Sequence, residues 1–282
     1  MTHRALVALA LAGCGSSSTK PPPLVFGGDR PTNLQVPEPL DKHASYPLIM
    51  VLHGYGANGF VQEAYFGISA LVKSGQAFVL APDGTVDSTG AEFWNADPAC
   101  CDFDNTGVDD SGYLGGLLDD VIAAYPEIDL DAIWIVGHSN GGYMAYRMAC
   151  DHADVVTDIV VLAGAAASDP STCNPELPVD VLHIHGTADT MVPYDPNAMA
   201  SVTQWASHDG CDPTTTAGPA IDLDTGIPGA ETQTETFDDC PPGSGVELWT
   251  IQGGMHIPTI DNTTFAPMIF QYMAAHRRLL PD

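Results

Sequence analysis

A serine hydroxyl becomes a useful nucleophile only when it is held in the open and deprotonated as it attacks. Ser139 sits in a setting suited to that, within Gly137-His138-Ser139-Asn140-Gly141. The apolar run Ala132 to Val136 precedes it and the stretch Asn140 to Cys150 reads as a helix, so the G-x-S-x-G pattern falls on a strand-to-helix turn. Such a turn lifts the serine above a sheet edge, and the glycines at 137 and 141 leave room for it. The Asn140 amide, at the helix start, then points toward the place where negative charge develops during acyl transfer. A second oxyanion donor belongs after an earlier strand, and Leu52-His53-Gly54-Tyr55-Gly56 makes the Tyr55 amide the candidate.

Serine chemistry of this kind needs a base and a group to orient it. His256 follows Trp249 to Ile251 and a Gly253-Gly254 turn, and imidazole, titrating near neutrality, can take the serine proton and return it to a leaving group. Asp189 follows the apolar run Val179 to His185 and the turn Gly186-Thr187-Ala188, and it lies between Ser139 and His256 in the chain. That order favours it over Asp83 and Asp195 as the acid that holds the histidine tautomer. His53 reads as a strand-end histidine bonded within its own loop. His183 and His185 read as packed or hydrogen-bonded side chains, since no neighbouring carboxylate completes a metal site. Tyr55, Trp94, His138, Met191 and Val192 are the expected substrate-contacting residues, and no long apolar insertion offers a lid.

The elements that must position these residues are legible as alternation. Short apolar runs at Pro47 to His53, Ala77 to Ala81, Ala132 to Val136, Ile159 to Ala163, Val179 to His185 and Val246 to Ile251 read as buried parallel strands. Helical stretches at Phe60 to Lys73, Asp110 to Ala124, Asn140 to Cys150, Asn197 to His208 and Thr263 to Leu280 separate most of them. This predicts an α/β fold, a mostly parallel sheet with helices on both faces, in one domain over 25–282. The Thr-, Asp- and Gly-rich excursion from Cys211 to Gly245 breaks the pattern; Thr232, Thr234 and Thr236 suggest one short exposed strand within it.

Residues 1–13 carry a weakly basic start and an apolar Ala5 to Ala12, the form of an export signal. Leu11-Ala12-Gly13-Cys14 resembles the bacterial lipoprotein signal, which implies a lipidated Cys14; a generic secretory signal cut near Gly13 is the other reading. Residues 14–24 form an expected tether. Six cysteines remain, at 100, 101, 150, 173, 211 and 240, an even number that favours disulfides in an exported protein. Cys211 with Cys240 would staple the excursion, and Cys100-Cys101 beside Cys150-Cys173 is one arrangement of the rest. Acidic residues outnumber basic ones 36 to 8, for a formal charge of −28, which disfavours nucleic acid and anionic membrane surfaces as partners. Asp102-Phe103-Asp104 begins like a calcium loop, but Tyr113 stands where the closing glutamate belongs. A looser site using Asp102, Asp104 and Asp109 or Asp110 competes with the plainer reading that one of the last two caps a helix.

Taken together, LHGYG at 52–56, VDDSGYL at 108–114, GHSNGGYMAYRMAC at 137–150, HIHGTADTMVPY at 183–194 and IQGGMH at 251–256 resemble the polyhydroxybutyrate-depolymerase-like and feruloyl-esterase-like α/β-hydrolases. The resemblance runs from about Phe26 to the C-terminus. It implies the α/β-hydrolase fold and a cofactor-free serine esterase using Ser139, Asp189 and His256. A monomeric, extracytoplasmic enzyme is expected, with an ester as its partner and the membrane reached only through a lipidated Cys14. Met255-His256-Ile257-Pro258 departs from the glycine and aromatic residue that more often flank this histidine in relatives. Acetylated polysaccharide esterase, serine peptidase and a non-catalytic polymer-binding lipoprotein are the competing functions.

Overall fold

The computed structural model describes residues 21–278. The signal segment, Cys14 and most of the tether lie outside them. Strands β1 (Val25–Phe26), β2 (Thr32–Gln35) and β3 (Tyr46–Leu52) lead into helices α1 (Gly59–Phe66) and α2 (Ser69–Lys73). Next come β4 (Phe78–Leu80), β5 (Thr85–Val86), β6 (Glu92–Phe93), α3 (Asp110–Ala124), β7 (Ile128–His138), α4 (Asn140–Asp151) and β8 (Asp158–Leu162). The chain continues through β9 (Asp180–Gly186), α5 (Tyr194–Asp209), β10 (Thr215–Ala217), β11 (Thr232–Phe237), β12 (Val246–Ile251) and α6 (Asn262–Ala275).

The main sheet runs β1-β2-β4-β3-β7-β8-β9-β12-β11-β10. Its centre, from β4 to β12, is parallel, and two antiparallel strands close each flank. Alternate residues of the central strands feed opposite faces: Leu48, Met50 and Leu52 join one apolar core, Ile49 and Val51 the other. Central strands buried on both faces explain their near-continuous apolar sequence. The carboxyl ends of β3, β7, β9 and β12 therefore lie along one sheet edge, where ligands bind in folds of this type.

Three elements differ from their predicted form. The single helix expected over Phe60 to Lys73 is two, because Gly67 takes φ 75° and a Cβ there would lie 2.1 Å from the Asn262 carbonyl oxygen at the start of α6. α6 ends at Ala275, well before Leu280, and Arg278 turns inward to donate to the Val156 and Pro178 carbonyls. The strand in the excursion is not an exposed edge: β11 is paired on both sides, by β12 and β10, and Thr232 is buried. Disulfides join Cys211 to Cys240, Cys150 to Cys173 and Cys100 to Cys101.

Candidate active site

Ser139 stands between β7 and α4 with φ 53° and ψ −120°, a positive φ that a non-glycine residue adopts only under constraint. The constraint is visible. The Ser139 amide donates to the Leu162 carbonyl (2.8 Å), while neighbouring backbones close in from two sides. A Cβ at Gly137 would fall 2.1 Å from the Gly141 carbonyl oxygen, and one at Gly141 would fall 2.2 Å from that of Leu52. Both glycines are required by backbone contact across the turn.

His256 Nε2 is 2.9 Å from Ser139 Oγ, and His256 Nδ1 is 2.7 Å from Asp189 Oδ2. Asp189 Oδ1 accepts from the Met191 and Val192 amides at 2.8 and 2.9 Å. A carboxylate tied to its own loop by two amides presents its second oxygen in a set direction. The two rivals are placed elsewhere: Asp83 accepts from the Gly59 amide, and Asp195 is exposed at the start of α5. The loops carrying acid and histidine are seamed together. Ala188 donates to the Gly254 carbonyl, and the Gly253 amide donates to Thr187 Oγ1. The Asn140 amide lies at the N-terminus of α4, beside the serine, and Tyr55 follows β3 in the next strand over.

Two residues expected to touch substrate, Trp94 and His138, turn out to support the site from below. Trp94 is fully buried, not at the rim; its indole N–H donates to the His53 carbonyl at 3.1 Å. The Asn140 side chain clamps the Trp94 backbone at two points, with Oδ1 accepting from its amide and Nδ2 donating to its carbonyl (2.8 and 2.9 Å). His138 is likewise buried, and its Nε2 donates to the His256 carbonyl at 3.0 Å. Burial pushes the His138 pKa down to about 4, so it is a neutral prop for the histidine loop. Tyr65, which no motif marked, completes that prop: its hydroxyl donates to the Pro258 carbonyl (2.7 Å) and its ring packs near His138. Met191, Met255 and Ile257, on the loops that carry Asp189 and His256, are exposed, Val192 is half-buried, and Tyr55 packs on Phe103.

His53 is bonded within its surroundings, with Nδ1 donating to Gly54 and Nε2 accepting from Gly84. The carboxylates of the calcium-like segment diverge to separate partners. Asp102 accepts from the Thr106 and Gly107 amides, Asp104 from Ser88, Asp109 caps α3, and buried Asp110 pairs with Arg30 at 2.6 Å. Among the described residues no cluster of three metal-ligating side chains occurs.

A profile of the Phospholipase/Carboxylesterase family of α/β-hydrolases matches residues 32–217, well over half the chain. The chain belongs to this family. It is an ester hydrolase of the α/β-hydrolase fold. Feruloyl esterase D of Neurospora crassa is 26% identical to it across 93% of this chain and 90% of that protein. The putative esterase NocK of Nocardia uniformis is 31% identical, but over only 53% of this chain and 42% of NocK. Among solved structures, the acetyl xylan esterase from Aspergillus awamori shares the fold of this esterase, with a TM-score of 0.65 and 16% identity over 86% of this chain and 93% of that one.

Proposed function

We propose that this esterase works through an acyl-serine intermediate, with Ser139 as nucleophile, His256 as base and Asp189 as the orienting acid. The observation that carries the reading is one imidazole bridging Ser139 Oγ and Asp189 Oδ2 through its two nitrogens. In the first half-reaction Oγ bonds to the ester carbonyl carbon while its proton passes to His256 Nε2. The Asn140 and Tyr55 amides receive the negative oxygen, and collapse of the tetrahedral species expels the alcohol, which takes the proton back from His256. Water repeats the sequence to release the acid. No cofactor enters either step.

For substrate we propose short-chain, aromatic and hydroxyacyl esters. Two features support this: the exposed apolar side chains of Met191, Met255 and Ile257 beside Asp189 and His256, and relatives named feruloyl esterases. The three disulfides support an extracytoplasmic location, and lipidation of Cys14 and a monomeric state belong to the same proposal. A fluorophosphonate probe tests the mechanism: wild type is expected to label, and Ser139→Ala to fold normally, resist labelling and lose roughly 10³-fold or more of its activity. Rates on p-nitrophenyl esters, methyl ferulate, acetylated xylan and hydroxybutyrate oligomers test the substrate class. A preference for long-chain esters with a rate jump above their solubility limit would sink it.

A further inference from the structure

Two buried histidines and a buried tyrosine are left unused by the mechanism above. Tyr146 on α4, His183 and His185 on β9 form a continuous chain: Tyr146 hydroxyl to His183 Nδ1 at 2.8 Å, His183 Nε2 to His185 Nδ1 at 3.0 Å, His185 Nε2 to the Val192 carbonyl at 2.8 Å. The same His185 Nε2 lies 3.3 Å from Asp189 Oδ2. The rings of the two histidines stack at 5.2 Å, and both are fully buried.

The direction of every hydrogen bond follows from the last link. A carbonyl only accepts, so His185 must carry its proton on Nε2. Its Nδ1 is then an acceptor, which requires the proton of His183 on Nε2, which in turn makes His183 Nδ1 an acceptor for the Tyr146 hydroxyl. All three donors point the same way, toward the loop that carries Asp189. Such alignment polarises each bond in turn. Burial holds both imidazoles neutral, as the chain requires.

We infer that Tyr146, His183 and His185 act as positioning residues for the acid, delivering one oriented N–H to the 189–192 loop and to the Asp189 oxygen that faces His256. This rests on the reading of Ser139, Asp189 and His256 given above. A second-row donor of this kind does two things. It fixes the loop through Val192, so that Asp189 meets His256 in one geometry, and it draws some charge from Asp189 Oδ2, moderating its pull on the protonated histidine. The groups facing His185 are His183 on its own strand, Asp189 beyond the strand, Tyr194 on α5, and His138 and His256 from the β7 and β12 ends.

The test compares His185→Leu, which removes the donor, with His185→Gln, which keeps an N–H at similar reach. For His185→Leu, kcat on p-nitrophenyl acetate should fall on the order of ten-fold with little change in KM. The acid-side limb of its pH–rate profile should also move up by about half a pH unit, since a released carboxylate stabilises the imidazolium more. His185→Gln should restore most of both. Nitrogen-15 NMR of the wild type is the check that needs no variant: His183 and His185 should each be neutral with the proton on Nε2. An active wild type whose folded His185→Leu variant keeps its rate and acid limb would overturn the inference alone, as would an Nδ1–H tautomer at either histidine. A wild type that neither hydrolyses the ester nor labels with fluorophosphonate would instead remove the reading beneath it.

Discussion

At the scale of single residues, the site depends on how few conformations its side chains are allowed. Asp189 is held by two loop amides and contacts His256 with its remaining oxygen. Asp189→Asn keeps the shape but offers an amide where the imidazole proton needs an acceptor. Hydrolysis should therefore fall by roughly 10⁴-fold with unfolding unchanged, whereas Asp195→Asn should remain near full rate; the reverse pattern in initial rates would move the acid to Asp195. Asn140 illustrates a division of labour within one residue. Its backbone amide faces the proposed oxyanion while its side chain clamps the Trp94 loop. Asn140→Ala should thus preserve fluorophosphonate labelling yet lower the melting temperature, because two buried backbone groups at Trp94 lose partners at about 1–3 kcal/mol each.

At the scale of elements, the loops at the carboxyl edge are tied down from neighbouring segments. The excursion from Cys211 to Cys240 pairs with β12 and reaches further, to the histidine loop. Asp224 accepts from the Thr259 amide, Thr225 donates to the Thr259 carbonyl, and Ile227 packs beside Gly253. It is a brace for the segment after His256. Replacing Cys211 and Cys240 by serine should destabilise the fold by about 2–4 kcal/mol, measured by urea denaturation. If bracing is its main contribution, kcat should drop together with stability, without any gain on long-chain esters.

At the scale of the whole molecule, acidity is not confined to the surface. Asp158 and Asp180 are register partners on β8 and β9, and both are buried with Asp209 near the single buried guanidinium of Arg278 among the described residues. Burial and mutual repulsion push Asp180 up to about 9, Asp209 up to about 7 through burial, and Asp158 well above the usual range. These carboxyls are therefore protonated in the folded protein over much of the range in which the unfolded chain would ionise them. The linked stability is fully present below about pH 4, the unfolded value, and is lost as pH rises through 7 and 9. Melting temperature should fall from neutral to alkaline pH, and Asp180→Asn should flatten that slope. A melting curve independent of pH between 6 and 9 in both proteins would contradict the assignment.

The sequence alone determined the alternating strands and helices and the even set of cysteines, and it singled out Ser139, Asp189 and His256, which the structure brings into hydrogen-bond contact, because each is written locally: in apolar runs, in a glycine-bounded turn, in chain order. α3 and β12 occupy the predicted spans because their apolar patterns agree with their caps and turns. Tertiary structure alone decided what depends on approach between distant segments. Trp94 looks like a rim aromatic until β6 and the Asn140 clamp bury it. Gly67 splits one apolar stretch only because α6 arrives beside it. Tyr65, His138 and the Tyr146–His183–His185 chain acquire their partners from elements far away in sequence. A hydrogen bond has a direction and a length of about 3 Å, and neither can be read from a pattern that records only which residues are apolar and how they are spaced.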